Sequence, residues 1–255
     1  MAHLGLTGKL RRARKVFRLA PPGLKVSVVG AIAVLLFLAV NWLYHVVRKP
    51  AELFFPVSGT LNKTPLQTWQ HYEAIFRAHA TPVMSAELLA ALAQVEAAGN
   101  PVATSYWRWQ PAWNPLHWYR PASSAVGMYQ ITDGTFEQAK RLCIRGGEVT
   151  QEGAWYDARA CWFNSLYFRV VPSHAVEMTS AYLDRSVSNI LSRHRISGAT
   201  LRQKQQLAAL VHLCGASAGD AFARRGFRLV AGQRCGDHDV RRYLAEIEAT
   251  QRLFR

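Results

Sequence analysis

Between Val26 and Val47 the chain runs without a single formally charged side chain. At about 1.5 Å per residue, a helix over that run is about 33 Å long, enough to cross a hydrocarbon core of roughly 30 Å. Charge gives the segment a direction. Lys9, Arg11, Arg12, Arg14, Lys15, Arg18 and Lys25 precede it, and only Arg48 and Lys49 closely follow. Basic residues stay on the cytoplasmic side, so residues 1–25 are expected as a basic cytoplasmic N-terminus and 26–47 as a transmembrane anchor. Everything past about residue 50 then lies outside. Trp42 and Tyr44, near the outer end, suit a membrane interface. A cleaved signal peptide and a buried core helix are the rival readings. The run exceeds a signal h-region of roughly 7–15 residues and shows no clear small-residue cleavage site, which favours an uncleaved anchor.

The same asymmetry changes the meaning of the net charge of +15. Residues 1–50 contain nine Lys/Arg and no Asp or Glu, leaving 22 basic against 16 acidic residues in the rest. A nucleic-acid-binding protein carries such a total, but here the excess flanks an apolar segment and reads as topology, so no nucleic-acid partner is expected. All four cysteines, Cys143, Cys161, Cys214 and Cys235, fall on the expected outer side. None forms a Cys-x-x-Cys pair or sits at finger-like spacing with His, so neither a metal nor a cofactor is expected. An oxidising compartment favours disulfides, for which three pairings exist, and buried free thiols are the alternative. Local pairing, Cys143–Cys161 and Cys214–Cys235, is preferred because each closes a short loop within one sub-region.

Beyond the anchor, residues 48–64 read as a linker containing Pro50, Pro56 and Gly59. Residues 65–255 read as one mainly α domain. Thr64-Pro65 opens a helix through about Ala78 with Trp69, Tyr72, Ile75 and Phe76 at helical spacing, and Thr81-Pro82 separates it from a second helix starting at Ser85. A short helix follows Thr132 or Asp133. Residues 143–174 look irregular and aromatic, with Gly146-Gly147, Trp155, Tyr156, Trp162, Phe163, Tyr167 and Phe168. The last third is helical. Leu183, Val187, Ile190 and Leu191 mark one stripe, a capping box at Thr200-x-x-Gln203 opens the next helix, and Asp237 or Asp239 caps a final one carrying Val240, Tyr243, Leu244 and Ile247. No alternating strand pattern stands out.

The chemistry-bearing stretch runs from Ser85 to Thr135. Leu88, Leu89, Leu92 and Val95 give the helix after Ser85 a buried side, and Glu96 falls at its end, before Gly99-Asn100-Pro101 stops it. A carboxyl there meets the negative end of the helix dipole and apolar neighbours, both of which favour the protonated form a general acid needs. A lone helix-end Glu is more commonly a solvated surface residue. What points to a catalytic role is the frame around it. Glu96, Asn100, Pro101, Ala103 and Ser105, followed by Gly127-x-x-Gln130, resemble the catalytic domain of soluble lytic transglycosylases, the SLT domain, which cleaves bacterial peptidoglycan. Looser similarity extends to Thr132-x-x-Thr135, to Ala181-Tyr182-Leu183 and to Ala208–Gly215, about residues 82–225 in all.

There are departures. Ala97 replaces the usual Ser after the acid, Ser124 stands where Gly is usual, and Met128-Tyr129 replaces Leu-Met. His212 and Leu213 take the places of a Tyr that contacts the acid and of an Asn. Residues 106–122 interrupt the family's short Ser-to-Gly spacing.

The resemblance implies a lysozyme-like fold, Glu96 as the catalytic residue, and substrate contacts from Ser105, Gly127, Met128, Tyr129, Gln130, Tyr182 and His212. It also implies a peptidoglycan partner and a bacterial inner-membrane protein with a periplasmic domain. His212 packed in the core is the bland alternative. The insertion holds Trp107, Trp109, Trp113 and Trp118, whose flat faces suit stacking on sugars as a glycan-binding wall; an aromatic mini-core is the other reading. In the implied mechanism the bond between N-acetylmuramic acid and N-acetylglucosamine is cut to leave a 1,6-anhydro end. A hydrolytic muramidase of goose-lysozyme type and a non-catalytic adaptor in an envelope-spanning machine are the rivals. Walker-type, Gly-x-Ser-x-Gly and His-Glu-x-x-His motifs are absent from the chain.

Overall fold

A computed structural model describes residues 16–151, 153 and 160–255. Lys9, Arg11, Arg12, Arg14 and Lys15 of the expected cytoplasmic segment lie outside the described residues, as do Trp155 and Tyr156. The chain divides into two compact units, one of Met1–Pro50 with Trp109–Arg120, the other of Ala51–Arg108 with Pro121–Arg255.

The first unit is built on helix α1, Pro22–Arg48. Pro22 sits in its first turn, where a missing N–H costs nothing and the fixed φ suits a helix. Its most apolar 18-residue window has a mean hydropathy of 2.4 and is not buried, and among the described residues it is the one helix long and apolar enough to cross a membrane.

The second unit is mainly α, as the helical periodicities require, and its core runs through every one of its longer helices. Helix α2 (Pro65–Ala78) starts on the Thr64 capping box with Gln67, and buries Tyr72 and Phe76. Helix α3 (Ala86–Ala97) starts on Ser85, whose Oγ accepts from Leu88 N. Its residues Leu88 to Ala93 are all buried, so the helix is wrapped on every side rather than on the one stripe expected. The Leu- and Ala-rich sequence permits this, since it carries no polar group through the middle of the helix.

Helix α4 (Asp133–Ala139) is capped by Thr132, not Asp133, which lies in the first turn and pairs with Arg169 at 2.8 Å. Helix α5 (Pro172–Arg193) buries Leu183, Val187, Ile190 and Leu191. Helix α6 (Leu201–Cys214) begins on the Thr200–Gln203 capping box. Gly215 breaks the chain into a further helix, α7 (Ala216–Arg224), which the sequence reading did not separate. Helix α8 (Val240–Arg252) is capped by Asp239 and buries Val240, Tyr243, Leu244 and Ile247.

Two parts differ from expectation. Residues 48–64 are not a bare linker but carry 3-10 turns at Pro50–Phe54 and Ser58–Leu61. From Ala51 onward this stretch belongs to the second unit. Beyond two three-residue strands, β1 (Trp107–Trp109) and β2 (Tyr119–Pro121), the region after residue 142 contains an antiparallel hairpin, β3 (Leu142–Arg145) with β4 (Glu148–Gln151), turned at Gly146-Gly147 with φ of 59° and 81°. Positive φ at both central residues matches the twist of hairpin strands, and glycine takes it without steric cost. Glu177, buried on α5, accepts from Ile144 N at 3.0 Å and from the Tyr167 hydroxyl at 2.6 Å, tying the hairpin to the helix. Cys143 is joined to Cys161, and Cys214 to Cys235, with Cα separations of 5.4 and 5.5 Å. The second bridge fastens the end of α6 to a short ribbon, β5 (Arg234–Cys235) with β6 (His238–Asp239).

Candidate active site

Helix α3 ends where Ala98 and Gly99 turn to positive φ, 49° and 64°. The carbonyls freed there find partners in the segment before α2: Lys63 N donates to Ala98 O at 2.8 Å and Lys63 Nζ to Gly99 O at 3.3 Å. A cation at this end also complements the helix dipole, although burial pulls the Lys63 ammonium below its usual pKa. Asn100, almost wholly buried, donates to Ser58 O and to Asn62 Oδ1 and accepts from Val102 N. The Ser58–Leu61 turn, Lys63 and Asn100 together hold the end of α3, and so the position of Glu96.

Glu96 opens into a cleft of about 920 Å³ in the second unit. Thr104, Ser105, Tyr106, Arg108, Ala122, Ser123 and Gln130 line one part of it, and Arg234, Gly236, Asp237, His238, Asp239, Arg242, Tyr243 and Glu246 another. Helix α8 packs against α3 and delivers Tyr243, whose hydroxyl donates to Glu96 Oε1 at 2.5 Å. Burial first, then the Glu96 carboxylate, push the Tyr243 phenol well above its ordinary pKa, so it stays a proton donor across the working range. His212 Nε2 stands 3.5 Å from the same oxygen. The residue in the place of the family's Tyr thus approaches the acid, and a Tyr from a different helix makes the closer contact.

The Gly127–Gln130 loop is a tight turn, with Gln130 N donating to Gly127 O at 3.0 Å and Gly127 N to Ala103 O at 2.8 Å. Gly127 has φ of 82°, and a Cβ there would collide with the Arg169 carbonyl. Only glycine fits. Arg169 braces the loop by donating to Ser124 O and Ile131 O. Gln130 Nε2 is spent on Ala103 O and Gly127 O, and Ser105 Oγ donates to Ser123 O at 2.9 Å. Both residues line the cleft.

Several residues expected at the substrate have other partners or belong to the other unit. Met128 and Tyr129 are fully buried, and the Tyr129 hydroxyl donates to Leu89 O at 3.1 Å, so their side chains serve the core. Tyr182 is half-buried against the core. Trp107 donates through Nε1 to Glu52 Oε2 at 2.8 Å and lies 5.4 Å from the Phe55 ring, fastening the base of the insertion. Trp109, Trp113 and Trp118 belong to the first unit, where Trp109 stacks on Tyr119 and Trp118 Nε1 donates to Ala112 O. Tyr243, Asp237, Glu246 and Arg169 were missed as site residues. The one available signal was the Tyr on the buried stripe of α8, since a buried phenol must find a partner for its hydroxyl.

A mainly helical domain in which a buried helix ends on a carboxylate inside an open cleft is lysozyme-like. Residues 73–199 match the model of the Transglycosylase SLT domain, and the chain belongs to that family. No curated protein matches the chain. The family supports a peptidoglycan-acting function of the lytic transglycosylase type. The matched span contains Glu96 and the Gly127–Gln130 loop but stops short of His212 and Tyr243.

Proposed function

We propose that the protein is a membrane-anchored peptidoglycan lytic transglycosylase in which Glu96 is the catalytic acid and base. The observation that carries this reading is the position of Glu96: at the end of a wrapped helix, inside the cleft, with one carboxyl oxygen held by the Tyr243 hydroxyl at 2.5 Å. Because Oε1 is engaged by a donor, the other oxygen is the one free to carry the transferable proton. In this mechanism Glu96 protonates the glycosidic oxygen between N-acetylmuramic acid and N-acetylglucosamine, and the substrate's own 2-acetamido group relieves the developing positive charge. Glu96, now a base, takes the proton of the C6 hydroxyl, which closes the 1,6-anhydro ring. Intramolecular attack replaces an activated water through proximity alone. Gln130, Ser105 and the backbone at Gly127 line the sugar's path, and Tyr106 and Arg108, at the base of the insertion, offer a ring face and a cation.

Hydrolysis by a muramidase is the second reading. Hydrolytic glycosidases generally pair two carboxylates, and Asp237, Asp239 and Glu246 share the cleft with Glu96. Asp239 is engaged as the α8 cap, its Oδ1 accepting from Arg242 N at 2.8 Å. Glu73, by contrast, pairs with Arg77, and Glu87 sits in the first turn of α3, at the far end from Glu96.

The test is digestion of purified sacculi by the full chain in detergent, with mass analysis of the products. Anhydro ends are expected; reducing ends without anhydro sugar would establish a hydrolase. Glu96→Gln keeps size and hydrogen bonding but cannot cycle a proton, so the rate should fall by at least about 10²–10⁴. Full activity in that variant would defeat the assignment, and a wild-type chain that binds sacculi without cutting them would establish the adaptor reading.

A further inference from the structure

The tip of the insertion is bound to the membrane helix. Asn41 Nδ2 donates to Leu116 O at 2.7 Å, His45 Nε2 donates to the same carbonyl at 3.0 Å, and Tyr44 Oη and His117 Nε2 are hydrogen-bonded at 2.9 Å. These contacts run down the last two turns of α1, below Arg48. At about 1.5 Å per residue, Asn41 lies about 10 Å below Arg48 and about 24 Å above Lys25. In a hydrocarbon core of roughly 30 Å that begins near Lys25, Asn41 falls inside the outer edge and His45 at its boundary. An amide donor left bare at that depth finds no water to bond and is strongly disfavoured. Here Asn41 is fully buried beneath the tip, and its Nδ2 is satisfied by Leu116 O. To reach it, Leu116 and His117 must themselves descend to the level where headgroups meet acyl chains.

Trp113, three residues from Leu116, is 103% exposed. A mini-core does not leave its largest ring wholly unpacked, and tryptophan is the side chain most favoured at the membrane interface. Arg48, stacked over the Tyr44 ring at 4.8 Å, adds a cation at the same level. We propose that the tip, Trp109–Arg120, is a second membrane-binding element: it seals the polar outer end of α1 and lays Trp113 into the lipid interface. This rests on the reading that α1 spans the bilayer, and it assigns the tip to lipid rather than to glycan.

The full chain, reconstituted in vesicles of phosphatidylethanolamine and phosphatidylglycerol with soluble glycan strands outside, is given a photoreactive benzophenone side chain at Leu43, Trp113 or Glu137 in turn. Lipid adducts at positions 43 and 113, and none at the exposed helix position 137, are expected. Adducts at 43 without lipid adducts at 113, or glycan adducts at 113, overturn the inference and leave the anchor standing. No lipid adduct at 43 overturns the anchor itself, and the inference with it.

Discussion

At the scale of the residue, the cleft carboxylate was legible and its hydrogen-bond partner was not. Glu96 stands out because local signals converge on it: a Leu stripe from Leu88, a Gly-Asn-Pro stop and a Gly-x-x-Gln loop ending at Gln130. Tyr243 is 147 residues away in sequence and occupies an ordinary stripe position, so only the packing of α8 on α3 reveals that its hydroxyl meets the carboxylate. Tyr243→Phe tests that contact with little change in shape. A hydrogen bond to a charged group contributes about 1.5–3 kcal/mol, so activity should fall by about 10- to 100-fold. The loss should appear in kcat with KM nearly unchanged, since the phenol orients the acid rather than binding sugar. Equal losses in stability and KM, with kcat kept, would make it a core residue only.

At the scale of the element, what announced itself was what has a local cause. The Thr64 and Thr200 capping boxes and the Ser85 cap sit where their sequence patterns predict, because a cap is settled by four neighbouring residues. Short ribbons have no such signature. Strands of two to four residues are too brief to show alternation, and β5–β6 exists because Cys214–Cys235 and the α8 cap hold it. That bridge has a functional position as well. It ties the end of α6, two residues from His212, to the ribbon whose Arg234, Asp237 and His238 line the cleft. Closing a loop of 21 residues is worth about 3 kcal/mol on the chain-entropy estimate. The double variant Cys214→Ser/Cys235→Ser should therefore lose about that much stability and also raise KM for glycan strands. Cys143→Ser/Cys161→Ser should cost similar stability, read by thermal melting, and leave KM near wild type. If KM moves equally in both, the ribbon is not a wall for substrate.

At the scale of the whole molecule, three independent lines bear on which side of a membrane the SLT domain would lie if α1 spans it. Basic residues crowd the N-terminal side of α1, and such residues resist translocation. Both disulfides lie beyond α1, where an oxidising compartment would keep them formed. The SLT family acts on a polymer of the cell wall. The sequence carried the first line outright, whereas the division of the insertion between two units emerged only in three dimensions, because Asn41 and Leu116 are 75 residues apart. This organisation makes α1 and the tip one folded unit, since removing α1 strips Asn41, Tyr44 and His45 from the tip they hold. An uncleaved anchor with an exterior domain is therefore expected. A phosphatase fused after Arg255 should be active only if that end is outside, and it should be active. Mass analysis of the membrane-extracted protein should find α1 still attached. A shortened chain recovered in the soluble periplasmic fraction would identify α1 as a signal peptide, and an inactive fusion on a stably expressed chain would reverse the topology.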